Sequence, residues 1–280
     1  MKIFQLSFLL HLPLFIHAFK PAYDENIAKR NLQLAAATYC DQDEIQNWDC
    51  AHCVSGIELK QTIFGNTNII IADDLVQNAT VFAFRGSADI QNWISNLEFE
   101  FTAPYSDPTL KVHKGLYKEY MKYRDNVLAN ISTKRIIITG HSSGAALSMF
   151  MAYDIHKTHD VTVYTFGKPR IGNQNFVDSA RDIVHYRITH RNDIVPHLPE
   201  ELLHYRHTNT EIWYPGDGEE YKICETNEDS NCSNSCSPIH CDSIADHLSY
   251  IGTNIGSDYC GSDELYHPLY TTISSYSVLY

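Results

Sequence analysis

"RIIITGHSSGAAL", residues 135–147, decides the fold. Ile136, Ile137, Ile138 and Thr139 form a β-branched run with no polar face. Such a run suits a central strand buried on both sides. It leads into Gly140-His141-Ser142-Ser143-Gly144 and then into "AALSMFMAYDIHK", which reads as a helix rich in Ala, Leu and Met. The five residues 140–144 fit G-x-S-x-G. That pattern places a serine on a sharp strand-to-helix turn, with glycines where backbone strain and close helix–strand approach demand them. A bare five-residue match arises by chance; the strand before it and the helix after it set this one apart. The spacing singles out Ser142 as a nucleophile, and Ser143 would offer its backbone N–H at the helix start.

Outward from this junction, "TNIIIADD", "NATVFAFRG", "VTVYTFG" and "IVHYRITH" read as strands, and "HTNTEIWY" alternates like an outer one. Residues 20–40 and 112–131 read as helices. Strands interleaved with helical patterns predict an α/β sheet. No internal repeat or long linker divides the chain, so residues 19–280 are expected to form a single domain.

The leading segment "MKIFQLSFLLHLPLFIHA" has a cation at Lys2, an apolar run and a small residue at Ala18. It reads as a secretory signal over residues 1–18. His11, Pro13 and His17 interrupt the run, which is short for a bilayer span. No later segment spans a membrane by composition. All eight cysteines follow the signal, and an even count in a secreted chain predicts disulfides. "CAHC" and "CSPIHC" raise zinc as a rival, which an oxidising compartment disfavours, so no metal or cofactor is expected. Asn78, Asn130 and Asn231 head glycosylation sequons. A net charge of −13, with no basic cluster, excludes nucleic acid as a natural partner and disfavours strongly anionic membranes. Neutral oily interfaces remain compatible.

A serine nucleophile needs a histidine base and a carboxylate. On this kind of fold the order is Ser, Asp or Glu, then His. Asp193, in "RNDIVPHLP", sits where a strand ends and prolines mark a loop. Asp178 and Asp182 lie in a polar, helical stretch. The base must come from His197, His204, His207, His240, His247 or His267, and the residues alone leave that choice open. His247 is attractive because "SIADHLSYIG" begins a new apolar segment after the cysteine-rich loop.

In "RGSADIQNWISNL", Ile90, Trp93, Ile94 and Leu97 fall at i, i+3, i+4 and i+7, one apolar stripe on a short helix. The pattern fits either a fixed core face or a cover that opens.

Together these motifs resemble the class 3 lipases, secreted α/β-hydrolases best known from fungi. The likeness runs from about Tyr23 to Cys260 and rests on "FRGS" with "NWISNL", "GHSSGAAL", "TFGKPRIGN", "RNDIVPHLP" and "DHLSYIG", in that order. It implies an α/β-hydrolase fold with a mostly parallel central sheet flanked by helices. It implies a triad of Ser142, Asp193 and His247, and an oxyanion hole from Ser87 and Ser143. It makes the stripe of Ile90, Trp93, Ile94 and Leu97 a lid. Ser87 could also cap the lid helix. The family's disulfide pattern is compatible with Cys40–Cys260, Cys50–Cys53 and Cys224–Cys232, which leaves Cys236–Cys241 as an additional pair. The tail after Gly261 exceeds the family core.

The expected activity is that of a secreted serine carboxylester hydrolase, a triacylglycerol lipase acting on neutral lipid at an interface. A phospholipase A1 or an esterase for soluble or plant-wall esters is the alternative on the same scaffold. A secreted lipid-binding protein without catalysis is the alternative of a different class. Oligomeric state is not legible.

Overall fold

The computed structural model describes residues 21–208, 210–217, 220–236 and 240–260. The expected signal (1–18) and the tail after Gly261 lie outside them. Helix α1 (Glu25–Ala37) is capped by the Asp24 side chain, which accepts from the N–H groups of Asn26 and Ile27. It is shorter than the expected 20–40 because this cap sets its start. A short α2 (Gln42–Asn47) follows. Then come β1 (Ile57–Ile63), β2 (Ile69–Asp74) and β3 (Ala79–Phe84), paired antiparallel as a meander.

The stripe helix α3 spans Ile90–Ser95, and β4 (Phe101–Thr102) pairs with β5 (Val112–His113). That pairing takes the first residues of the expected 112–131 helix, so α4 runs Lys114–Ala129. His113 caps it, with Nδ1 accepting from the Leu116 N–H at 3.2 Å. The 135–147 junction is realised as β6 (Arg135–His141) and α5 (Ser142–Ile155). β7 (Asp160–Phe166), α6 (Gln174–Ser179), β8 (Val184–His190) and β9 (Thr210–Tyr214) continue the alternation. β10 (Lys222–Ile223), α7 (Ile244–His247), β11 (Ser249–Tyr250) and β12 (Thr253–Asn254) complete the described strands and α-helices.

The main sheet has the order β1-β2-β3-β6-β7-β8-β9-β10. From β3 through β9 the neighbours are parallel; the edges are antiparallel. The fold is therefore an α/β-hydrolase sheet with helices on both faces. Strand alternation sorts the core. Ile70, Ala72, Val81, Ala83 and Ile137 face α1, while Ile69, Ile71, Phe82, Phe84, Ile136 and Ile138 face α4 and α5. Truncating a fully buried Phe82 to Ala would cost about 3–5 kcal/mol. α5 is buried over most of its length, which explains its lack of any polar stripe.

The sequence reading passes over β1. Its solvent face carries Glu58 and Lys60, and the pairing slips between Leu59 and Gln61, which blurs the two-residue period.

Four disulfides join Cys40 to Cys260, Cys50 to Cys53, Cys224 to Cys232 and Cys236 to Cys241. Arg30 pairs bidentately with the buried Asp74 carboxylate at 2.7 and 2.9 Å. Burial works against the charged form of Asp74, but hydrogen bonds from Arg30 and Gln77 outweigh it and hold its carboxyl below the usual range.

Candidate active site

β6 delivers Ser142 to the C-terminal edge of the parallel strands, where sites in open α/β sheets form. Ser142 has φ of 57°, the left-handed region that a side chain rarely adopts. The residues two positions to either side of it must be small. A Cβ on Gly144 would lie 2.3 Å from the Phe84 carbonyl oxygen, and one on Gly140 would lie 2.6 Å from Ser148 Oγ. These contacts fix α5 against β3 and β6. Ser143 follows within the first turn of α5, where N–H groups have no partner inside the helix.

Asp193 lies just after β8, held beside Ser243 by an isolated parallel bridge. That bridge brings the chain of α7 alongside and places His247 over the carboxylate. Nδ1 of His247 is 3.0 Å from both Asp193 oxygens. The Val195 N–H donates to Asp193 Oδ1 at 2.9 Å, and the Tyr250 hydroxyl donates to Oδ2. Asp193 and His247 are buried. Nδ1 must carry the proton to reach a carboxylate, so the Nε2 lone pair of a neutral His247 is free. Nε2 of His247 and Oγ of Ser142 are both buried and have no hydrogen-bond partner among the described residues. Gly167 makes room for this corner: a Cβ there would lie 2.4 Å from Tyr250 Oη and 2.7 Å from the His247 ring.

The other candidate bases fall elsewhere. His207 is buried, with Nε2 2.8 Å from the Pro196 carbonyl oxygen. His197 lies beside Cys236 Sγ at 3.5 Å, and His204 and His240 are exposed. His267 is outside the described residues. Asp178 is exposed and pairs with Arg181. His197, Cys236 and Cys241 stand close enough to hold a metal, as do Glu211, Cys224 and Cys232, but in each group the two sulfurs are bonded to each other.

The loop after β3 carries Ser87 over the start of α5. Ser87 Oγ is 3.2 Å from Ser143 Oγ. The expectation that Ser87 could cap the stripe helix is corrected: Asp89 is the cap, accepting from the Asn92 N–H at 2.9 Å. A Cβ on Gly86 would lie 2.7 Å from that of Ser142, so only glycine lets this loop close on the serine.

α3 lies over this edge, and none of its residues is fully buried. Trp93 and Leu97 line a cavity of about 520 Å³ that reaches Ser143, Leu116 and Leu147. Ile90 lines a second cavity of about 280 Å³ that reaches Ser142 and Leu248. Ile94 is half-buried. The stripe thus stands between solvent and two hollows that flank the serine.

Three residues around the site escaped the sequence reading. Tyr39, His141 and Tyr250 bond to the loop, the base and the acid. His141 was visible beside Ser142; nothing local marks Tyr39. Of the sequon residues, Asn78 and Asn231 are exposed, Asn231 donating to Asp229, whereas Asn130 is half-buried and donates to the Asn126 carbonyl.

The class 3 lipase family, described as "Lipase (class 3)", matches residues 81–203. A lipase of Rhizomucor miehei is 32% identical over 234 residues, covering 75% of this chain and 63% of that protein. A secreted mono- and diacylglycerol lipase of Fusarium solani is 29% identical, covering 70% of each. The chain spans less than two thirds of the first curated relatives' length, 63% and 62%. The solved Rhizomucor miehei triacylglyceride lipase superposes with a TM-score of 0.76 at 31% identity, covering 84% of this chain and 98% of that one. With the sheet order, the serine at the strand–helix turn and this coverage of a solved relative, the chain belongs to the class 3 lipase family.

Proposed function

We propose that this protein is a secreted serine carboxylester hydrolase of the triacylglycerol lipase kind, acting at a neutral lipid interface. The observation that carries the reading is the Asp193–His247 pair, with Nε2 of the imidazole and Oγ of Ser142 both left unbonded. In this mechanism Ser142 Oγ attacks the ester carbonyl while His247 Nε2 takes its proton. Asp193 holds the ring and stabilises its cationic form. The N–H groups of Ser87 and Ser143 receive the oxyanion, with the Ser87 hydroxyl in reach; each such donor is worth about 3 kcal/mol. His247 then protonates the leaving alcohol, and water repeats the sequence on the acyl-enzyme.

α3 supports an interfacial reading. Rolling it back would expose Ile90, Trp93, Ile94 and Leu97, at a cost of about 25 cal/mol per Å² in water. An oily surface removes that cost. Two relatives are named for acylglycerol substrates, and one of them is named as secreted. The four disulfides fit an oxidising compartment. Residues 1–18 then act as the export signal and 19–280 as one hydrolase domain. Among the described residues no helix is long and apolar enough to cross a membrane.

The test is rate against substrate concentration across the solubility limit, on emulsified triglyceride, phospholipid vesicles and a dissolved short ester. A rise at the onset of emulsion supports the lipase. A preference for vesicles or for dissolved ester moves the activity to phospholipase A1 or esterase. Folded protein that neither hydrolyses any ester nor reacts with a fluorophosphonate is a binding protein, and the proposal falls.

A further inference from the structure

A chain of buried hydrogen bonds ties the oxyanion loop to the candidate base without passing through Asp193. The Gly86 N–H lies 3.0 Å from the Tyr39 hydroxyl oxygen. That hydroxyl lies 2.7 Å from Nδ1 of His141. Nε2 of His141 lies 2.8 Å from the main-chain carbonyl oxygen of His247. Tyr39 and His141 are both buried.

The direction of every link follows from chemistry. A carbonyl oxygen only accepts, so His141 Nε2 carries the hydrogen. Burial, with His247 beside it, pushes the His141 imidazole well down from its ordinary value, so it is neutral and Nδ1 is bare. The Tyr39 hydroxyl therefore donates to Nδ1, and its oxygen accepts from Gly86. Burial likewise pushes the Tyr39 phenol up, which keeps that proton in place. The His141 ring lies tilted against that of His247, with centroids 4.4 Å apart.

We propose that Tyr39 and His141 are positioning residues that hold the oxyanion loop and His247 in register on opposite sides of Ser142. The proposal rests on the hydrolase reading above. Gly86 precedes Ser87, the candidate donor, and His141 precedes Ser142. The relay thus spans the loop that receives the oxyanion, the strand end that presents the nucleophile and the backbone of the base. Both side chains line the smaller cavity beside Ser142, but their polar atoms are engaged in these bonds. The relay's effect belongs to the step in which attack, proton transfer and oxyanion capture must coincide, so it acts on kcat.

Tyr39→Phe removes one oxygen and strands both the Gly86 N–H and the His141 Nδ1. On dissolved p-nitrophenyl butyrate, with active sites counted by fluorophosphonate and folding checked by circular dichroism, kcat is expected to fall about 10- to 100-fold while KM barely moves. His141→Gln keeps an N–H donor near the Nε2 position. It is expected to retain several-fold more kcat than His141→Phe, which fills the space without a donor. A Tyr39→Phe kcat within twofold of wild type overturns the proposal, as does a His141→Gln variant no better than His141→Phe. Should His141→Phe not fold, the Tyr39→Phe kcat decides. Wild-type protein inert toward every ester and toward the fluorophosphonate would instead overturn the hydrolase reading.

Discussion

Nδ1 of His247 lies 3.0 Å from both carboxylate oxygens of Asp193. Because Tyr250 and Val195 donate to the same carboxylate, its orientation is set from three sides. Asp193→Asn puts an amide donor where the imidazole must donate and favours the wrong tautomer. It is expected to lower kcat by about 10⁴ with the fold intact, measured on a dissolved ester. Tyr250→Phe removes one hydrogen bond to a charged group, and the expected loss is on the order of tenfold. Equal activity in Asp193→Asn and wild type would place the orienting acid elsewhere.

Ser142 holds a left-handed backbone at φ of 57°. For a residue with a Cβ this conformation costs about 1–2 kcal/mol, which glycine avoids. Ser142→Gly is expected to abolish hydrolysis and to raise unfolding stability by about 1 kcal/mol. Ser142→Ala is expected to abolish hydrolysis without that gain. Urea unfolding beside an ester assay reads both quantities; residual turnover in either variant would move the nucleophile.

Trp93 belongs to α3, is only half-buried and lines the larger cavity. Trp93→Ala is expected to impair hydrolysis of emulsified triglyceride more than hydrolysis of a dissolved short ester. The difference arises because the indole gains an oily surface only at the interface. Equal losses on both substrates would make α3 a fixed wall of the site.

Acid should destabilise the fold through buried histidines. Burial pushes His113 and His197 down to about 4, and His141 and His207 further below the ordinary value. In the unfolded chain each titrates near 6.5, so on acidification the unfolded state takes up protons first. The stability they contribute is whole above that value and is lost as pH falls from about 6.5 toward 4. A buried neutral histidine sets a slope of up to about 1.4 kcal/mol per pH unit in that window. His113→Asn keeps an acceptor for the Leu116 N–H and removes one titrating group. Its urea midpoint should therefore fall less steeply with acid than that of wild type. Parallel slopes would mean that His113 is not held neutral.

The legible parts of the site were those whose chemistry is local. The glycines at 140 and 144 and the β-branched run before them belong to one turn, and the same few residues that create the strain reveal it. Asp193 could be read from a strand end and two prolines. His247 could not be chosen from the residues alone, because what brings it to Asp193 is the bridge to Ser243, a tertiary pairing with no local mark. Tyr39 was invisible for the same reason: its partner His141 lies 102 residues away. Among strands, the doubly buried ones were plain, whereas β1 hid behind its polar face and its bulge.

The Cys40–Cys260 disulfide closes a separation of 220 positions, and Cys40 adjoins Tyr39. Synthesis is vectorial, so residue 40 is made long before residue 260 can meet it. The clasp beside the Tyr39 relay therefore shuts only after every member of the candidate triad has been translated. In the hydrolase proposed above, that order makes competence to cleave esters the last trait to ripen, after the whole candidate triad has left the ribosome.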